Sequence, residues 1–108
     1  VMLSGSGKIN LNLVTDNFEG TLTGSGNIKL QGKATNAAYQ LTGSGDFEAK
    51  FFETTNGLAK ITGSGDIEMN ASSKINAQIT GSGDIICHGN PDIQKTNTTG
   101  SGDVKIIN

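Results

Sequence analysis

A hydroxyl residue followed by Gly-Ser-Gly occurs six times in this 108-residue chain, and the spacing of that phrase leaves few ways to fold. The copies are Ser4-Gly5-Ser6-Gly7, Thr23-Gly24-Ser25-Gly26, Thr42-Gly43-Ser44-Gly45, Thr62-Gly63-Ser64-Gly65, Thr80-Gly81-Ser82-Gly83 and Thr99-Gly100-Ser101-Gly102. Their first glycines are 19, 19, 20, 18 and 19 residues apart. A period of that length marks stacked units, each contacting only its neighbours. Glycine enters positive φ without steric penalty, so each phrase predicts a tight corner. Gly5, Gly7, Gly24, Gly26, Gly43, Gly45, Gly63, Gly65, Gly81, Gly83, Gly100 and Gly102 are the expected structural turn positions.

Between corners the apolar residues alternate. Ile67, Met69 and Ala71 are interleaved with Asp66, Glu68 and Asn70, and Ile75, Ala77 and Ile79 with Lys74, Asn76 and Gln78. Each unit is therefore two half-buried strands. A looser, turn-rich corner separates them, at Val14–Asn17, Gln31–Lys33, Thr54–Gly57, Ala71–Ser73 and Gly89–Asp92. No segment has helical periodicity that could cover a single broad sheet, whereas a solenoid covers itself by facing its two sheets inward. The expected fold is all-β: a parallel, two-sheet β-solenoid of about five 19-residue coils, with a β-sandwich as the competing arrangement. Inward positions are expected at Ile9, Leu11 and Leu13 against Phe18, Gly20 and Leu22, then Ile28 and Leu30 against Ala37, Tyr39 and Leu41, then Phe47, Ala49 and Phe51 against Ala59 and Ile61. The third coil carries one extra residue, expected at its loose corner. In the fifth, Ile85 and Cys87 keep the inward parity, while the return strand runs out of phase, which predicts a bulge near Asp92 to Lys95.

The 16 glycines reflect frequent turning, and together with 33% hydrophobic residues they bring the apolar total to an ordinary value. Eight basic residues are scattered singly in a chain of net charge −2, which argues against a nucleic-acid partner. Tryptophan is absent, so there is no evident aromatic platform for sugars or bases. No apolar run is long enough to predict a membrane span. The single cysteine excludes an internal disulfide.

The residue after each corner is Lys8, Asn27, Asp46, Asp66, Asp84 or Asp103. Stacking puts the four aspartates in one column at a spacing of about 4.8 Å. Such a column is tolerable if each carboxylate accepts N–H groups from its own corner, or if calcium lies between them. Calcium-binding β-rolls repeat every nine residues, so capping is the expected arrangement, with no metal and no cofactor. The corner serines and threonines form parallel columns for which a hydroxyl ladder is expected. Cys87 and His88 are adjacent but point to opposite faces of a strand, which excludes a nucleophile–base pair. Cys87 reads as a small buried apolar residue, and a lone His88 does not make a zinc site. No catalytic residues are expected.

The phrases LTGSGDF at 41–47, ITGSGDI at 61–67 and 79–85, and TTGSGDV at 98–104 resemble the repeat of the GIN-type head domain of bacterial autotransporter adhesins. The resemblance spans the whole chain. It implies a right-handed, single-stranded β-helix, an extracytoplasmic location in the periplasm, at the outer-membrane surface or secreted, and a role in adhesion. Members of the family generally carry a further, less repetitive half before the first Gly-Ser-Gly phrase, so residues 1–108 are expected to be one β-solenoid domain forming the C-terminal part of a longer domain. The expected function is a non-enzymatic scaffold or adhesion surface. A carbohydrate- or matrix-binding module is the alternative, one sheet face supplying Lys29, Gln31, Lys50, Glu68, Asn76 and Gln78. The expected partners are a glycan or matrix ligand, and another copy or a partner protein at the solenoid ends, where strand backbone is left unpaired.

Overall fold

The computed structural model describes residues 2–89 and 91–107, Ile93 in its backbone only. Asn90, placed by the sequence in the fifth loose corner, lies outside the described residues. The strands are β1 (Met2–Gly5), β2 (Lys8–Gly24), β3 (Asn27–Gly43), β4 (Asp46–Gly63), β5 (Asp66–Gly81), β6 (Asp84–His88), β7 (Ile93–Thr99) and β8 (Asp103–Ile107). Every pairing is parallel, in the order β1-β2-β3-β4-β5-β6-β8, with β7 also on β5. This is a β-solenoid of about five coils, and the described residues include no helix.

The Gly-Ser-Gly corners interrupt the strands, as does the fifth loose corner between β6 and β7. Through most loose corners the strand runs on, because each residue keeps the same neighbour in the adjoining coil even where the chain bends: Val14 pairs with Lys33, and Thr15 with Ala34. The tight corners are stitched from coil to coil as well. The N–H groups of Ser25, Ser44, Ser64, Ser82 and Ser101 each donate to the carbonyl of the first glycine one coil earlier, at 3.1 Å. That first glycine has φ between 100° and 120° in all six copies. The second glycine is needed for space: a Cβ on Gly83 would stand 2.9 Å from an Ile61 methyl and still closer to the Gly65 carbonyl oxygen of the coil before.

Inward residues stack in columns. Ile9, Ile28, Phe47, Ile67, Ile85 and Val104 form one; Leu3, Leu22, Leu41, Ile61 and Ile79 form another. Large and small side chains compensate between neighbouring coils. Phe18, Tyr39, Phe47 and Phe52 make a chain of tilted and edge-on rings with centroids 5.2–6.0 Å apart. A Cβ on Gly20 would lie 3.0 Å from both the Phe18 and Phe47 rings, so the absent side chain makes room for them. Tyr39 is buried with its hydroxyl unpartnered.

Two expectations fail here, both over register. Phe51 points outward, 65% exposed, and Phe52 is fully buried in its place. The extra residue of the third coil sits before the loose corner: the offset between β3 and β4 is 19 at Lys29/Glu48 and 20 at Gln31/Phe51. A bulge of one residue reverses which face follows it, and the second phenylalanine therefore enters the core. The bulge expected near Asp92 to Lys95 is absent. β7 pairs with β5 continuously from Lys74/Ile93 to Thr80/Thr99, which puts Gln94, Thr96 and Thr98 in register with the inward Ile75, Ala77 and Ile79. These polar residues are exposed, since no further return strand covers them among the described residues.

Urea denaturation should separate the two phenylalanines. Phe52→Ala is expected to lose about 3–5 kcal/mol. Phe51→Ala should lose no more than about 1 kcal/mol, the worth of an exposed contact such as the Lys50 ammonium 5.7 Å from its ring. Among the corner glycines, Gly5→Ala meets nothing within 4 Å and should lose about 1–2 kcal/mol from backbone conformation alone. Gly43→Ala, whose Cβ would stand 2.6 Å from the Gly24 carbonyl oxygen, should lose distinctly more in the same assay.

Candidate functional site

The outward columns supply the chemistry, and the most developed surface lies beside the loose corners. Asn17, Asn36 and Asn56 are in register on successive coils. Asn36 Nδ2 donates to Asn17 Oδ1 and Asn56 Nδ2 to Asn36 Oδ1, each at 2.9 Å. Each rung spends one N–H and one oxygen lone pair on this ladder, so further donor and acceptor capacity faces solvent. In the next outward column Ala38 lies between Glu19 and Leu58, and the short side chain leaves a depression. The result is an open groove of about 700 Å³, lined by the three asparagines with Ala37, Ala38, Gly57 and Leu58, and carrying Glu19, Lys74 and Asn76 as its charged and polar members. The asparagine ladder was not anticipated from sequence. The available signal was the recurrence of asparagine 19 and 20 residues apart.

The six polar residues expected on one binding face are divided by the fold. Lys29, Gln31, Lys50 and Glu68 belong to the strand stretch after the tight corner, Asn76 and Gln78 to the stretch before the next one, and the two stretches face their inward residues into a common core. Their outward side chains therefore occupy opposite walls, and only Asn76 reaches the groove. Glu68 is engaged elsewhere: its Oε2 lies 2.9 Å from His88 Nε2 across one coil.

Asp46, Asp66, Asp84 and Asp103 do form a column in register. Where their carboxylates accept backbone hydrogen bonds, the donor is the following coil, not the residue's own corner. The Asp84 N–H donates to Asp66 Oδ1 and the Asp103 N–H to Asp84 Oδ1, both at 3.2 Å. At this position of the coil the N–H is aimed at the layer before, as in Asp46 N–H to the Gly26 carbonyl, so the carboxylate takes up a donor that also ties two coils together. Among the described residues no three His, Cys, Asp or Glu side chains converge in a metal-holding group. The serine and threonine hydroxyls of the corners are exposed, and the side-chain ladder of this solenoid is made by asparagine instead.

Cys87 is fully buried, in register with Met69 and Ile106 of the adjoining coils, while the His88 ring meets Glu68. Burial pushes its thiol pKa up, a nearby backbone hydrogen bond to Ala71 opposing this only in part. The Tyr39 phenol is raised as well, by burial first and by Cys87 second. Neither group is poised for chemistry at neutral pH.

A family profile described as "Putative auto-transporter adhesin, head GIN domain" matches residues 1–91. A crystal structure described as a putative adhesin from Bacteroides fragilis NCTC 9343 superposes with a TM-score of 0.79 at 29% identity, covering 94% of this chain and 60% of that one. Another, described as a putative lipid binding protein from Parabacteroides distasonis ATCC 8503, gives 0.86 at 26% identity, covering 99% of this chain and 52% of that one. The chain thus spans only about 52–60% of these structures. No curated protein sequence matches it significantly.

Cys87 should resist a thiol-alkylating reagent in the native chain and react promptly in urea. Both raised groups hold their protons more tightly in the folded state, so their contribution to stability is present below their ordinary pKa values of 9.0 and 10.0 and is lost as pH climbs past them. Urea midpoints should therefore fall between pH 8 and 11, and Cys87→Ala should flatten the first part of that decline.

Proposed function

This chain belongs to the family of the auto-transporter adhesin head GIN domain, and on that premise we propose that it is a non-enzymatic, extracytoplasmic β-solenoid that serves as an adhesion surface. Stacked coils hold outward side chains in fixed columns at a repeat of about 4.8 Å, a rigid lattice on which a repeating ligand can be matched. No described helix is long and apolar enough to cross a membrane.

The observation that carries the adhesive reading is the groove over the asparagine ladder. Its amides offer paired donors and acceptors, the complement of sugar hydroxyls or of extended peptide backbone, and Ala37, Ala38 and Leu58 offer a small apolar strip beside them. A carbohydrate- or matrix-binding module using this face is the more specific form of the proposal.

Binding should be sought on an array of bacterial and host glycans and on surfaces coated with matrix proteins. The expected result is retention on one class of ligand that is lost in Ala38→Arg, which fills the groove, at unchanged Tm. Retention equal in the wild type and Ala38→Arg would remove the groove from the proposal, and hydrolysis or cleavage of any array component would overturn the non-enzymatic reading.

A further inference from the structure

On the reading that the groove over the asparagine ladder is the binding face, we infer that its ligand is an acidic polysaccharide, laid along the solenoid axis with about one sugar ring to a coil and a carboxylate at Lys74. Charge is divided unequally between the two walls. Among the described residues, the wall formed by the stretches before the tight corners carries Lys60, Lys74 and Lys95 against the single carboxylate of Glu19. The opposite wall, which includes the aspartate column, carries four lysines against six carboxylates. A chain of net charge −2 thus turns its positive side to the groove. None of the three lysines belongs to an ion pair among the described residues, so their charge is offered to a ligand.

Register places one of those lysines in the asparagine column itself. Asn36 pairs with Asn56 and Asn56 with Lys74, on β3, β4 and β5, which have β2 and β7 beside them within the chain. Since one coil advances about 4.8 Å, the groove offers two amides and then an ammonium within about 10 Å along the axis. A pyranose ring with its linking oxygen is close to one such step in length, and its hydroxyls donate and accept as the amides do. Same-side residues of an extended peptide recur at about 6.8 Å, out of step with the coils. Ala37, Ala38 and Leu58 face the C–H groups of the ring, and the short Ala38 side chain leaves depth for it. Tryptophan is absent, so the contact is made by hydrogen bonds and charge and not by stacking. The Lys74 ammonium on a carboxylate is then the strongest single contact. Glu19 lies at the far end of the groove, three coils before Lys74, which leaves the Lys74 end positive.

Isothermal titration calorimetry with a panel of oligosaccharides bearing uronic or sialic acids, each beside its methyl ester, tests this. At least one acid should bind, and its ester should bind at least about fivefold more weakly, the scale of one ion pair. Lys74→Gln should weaken the acid by the same factor and leave the ester unchanged, while Lys74→Arg keeps the preference and Lys60→Gln changes little. Ala38→Leu, which fills the groove without adding charge, should abolish binding of both forms, all variants keeping the wild-type Tm. An unchanged acid-to-ester ratio in Lys74→Gln, with binding still lost in Ala38→Leu, would overturn the acidic ligand and leave the groove as the binding face. Binding that survives Ala38→Leu would remove the groove itself. Failure of every acid on the panel to bind, equal losses from Lys60→Gln and Lys74→Gln, or tighter Lys74-dependent binding of poly(glutamic acid) than of any acidic sugar would each overturn the inference as well.

Discussion

Everything in this molecule depends on one coil lying flat on the next at the tight corner. The serine N–H of each corner reaches the carbonyl of the first glycine one coil earlier, and the approach is so close that a single carbon on either glycine would collide with the layer beneath in all but the first corner. Glycine is thus required twice over, once for a positive φ and once for lack of volume. The register of the hydrogen-bond ladder, with its shifts at the bulges of β4 and β5, fixes which residues become neighbours, and with them the columns on the inside and the outside of the solenoid.

On the inside, the narrow core is filled by exchange of volume between layers. Gly20 leaves space for the Phe18 and Phe47 rings, and Gly57 leaves space for Met69, whose terminal methyl would meet a Cβ at that position. A core of two facing walls cannot expand locally without separating them, so a large residue in one coil demands a small one next to it. The bulge in β4 obeys the same rule: it carries an extra residue outward at Phe51 so that Phe52 can complete the ring cluster with Phe18.

On the outside, the same register turns isolated polar residues into arrays. Three asparagines become a hydrogen-bonded ladder beside a groove. Four aspartates become a column, in which the Asp66 and Asp84 carboxylates brace the next coil. The same column runs from Lys8 through Asn27 to the aspartates. An adhesion role suits such a body, since a surface with a regular repeat offers many weak contacts at one spacing, and their sum is what attachment needs.

The repeat, the corners, the parallel solenoid and most inward positions could be read directly from the chain, because two local signals sufficed: glycine phrases at a near-constant spacing and apolar alternation between them. The burial of Cys87 and its separation from His88 followed from strand parity alone. Three features were decided only by the tertiary structure. Phe51 and Phe52 are identical as residues, and a one-residue bulge chose between them, setting Phe52 against the Phe18 ring. The polar inward face of β7 was settled by its ladder to β5, whose hydrogen bonds outweighed the exposed pattern of Gln94, Thr96 and Thr98. The asparagine ladder joins residues 19 and 20 apart, contacts that no local window contains and that exist only once one coil has settled on another.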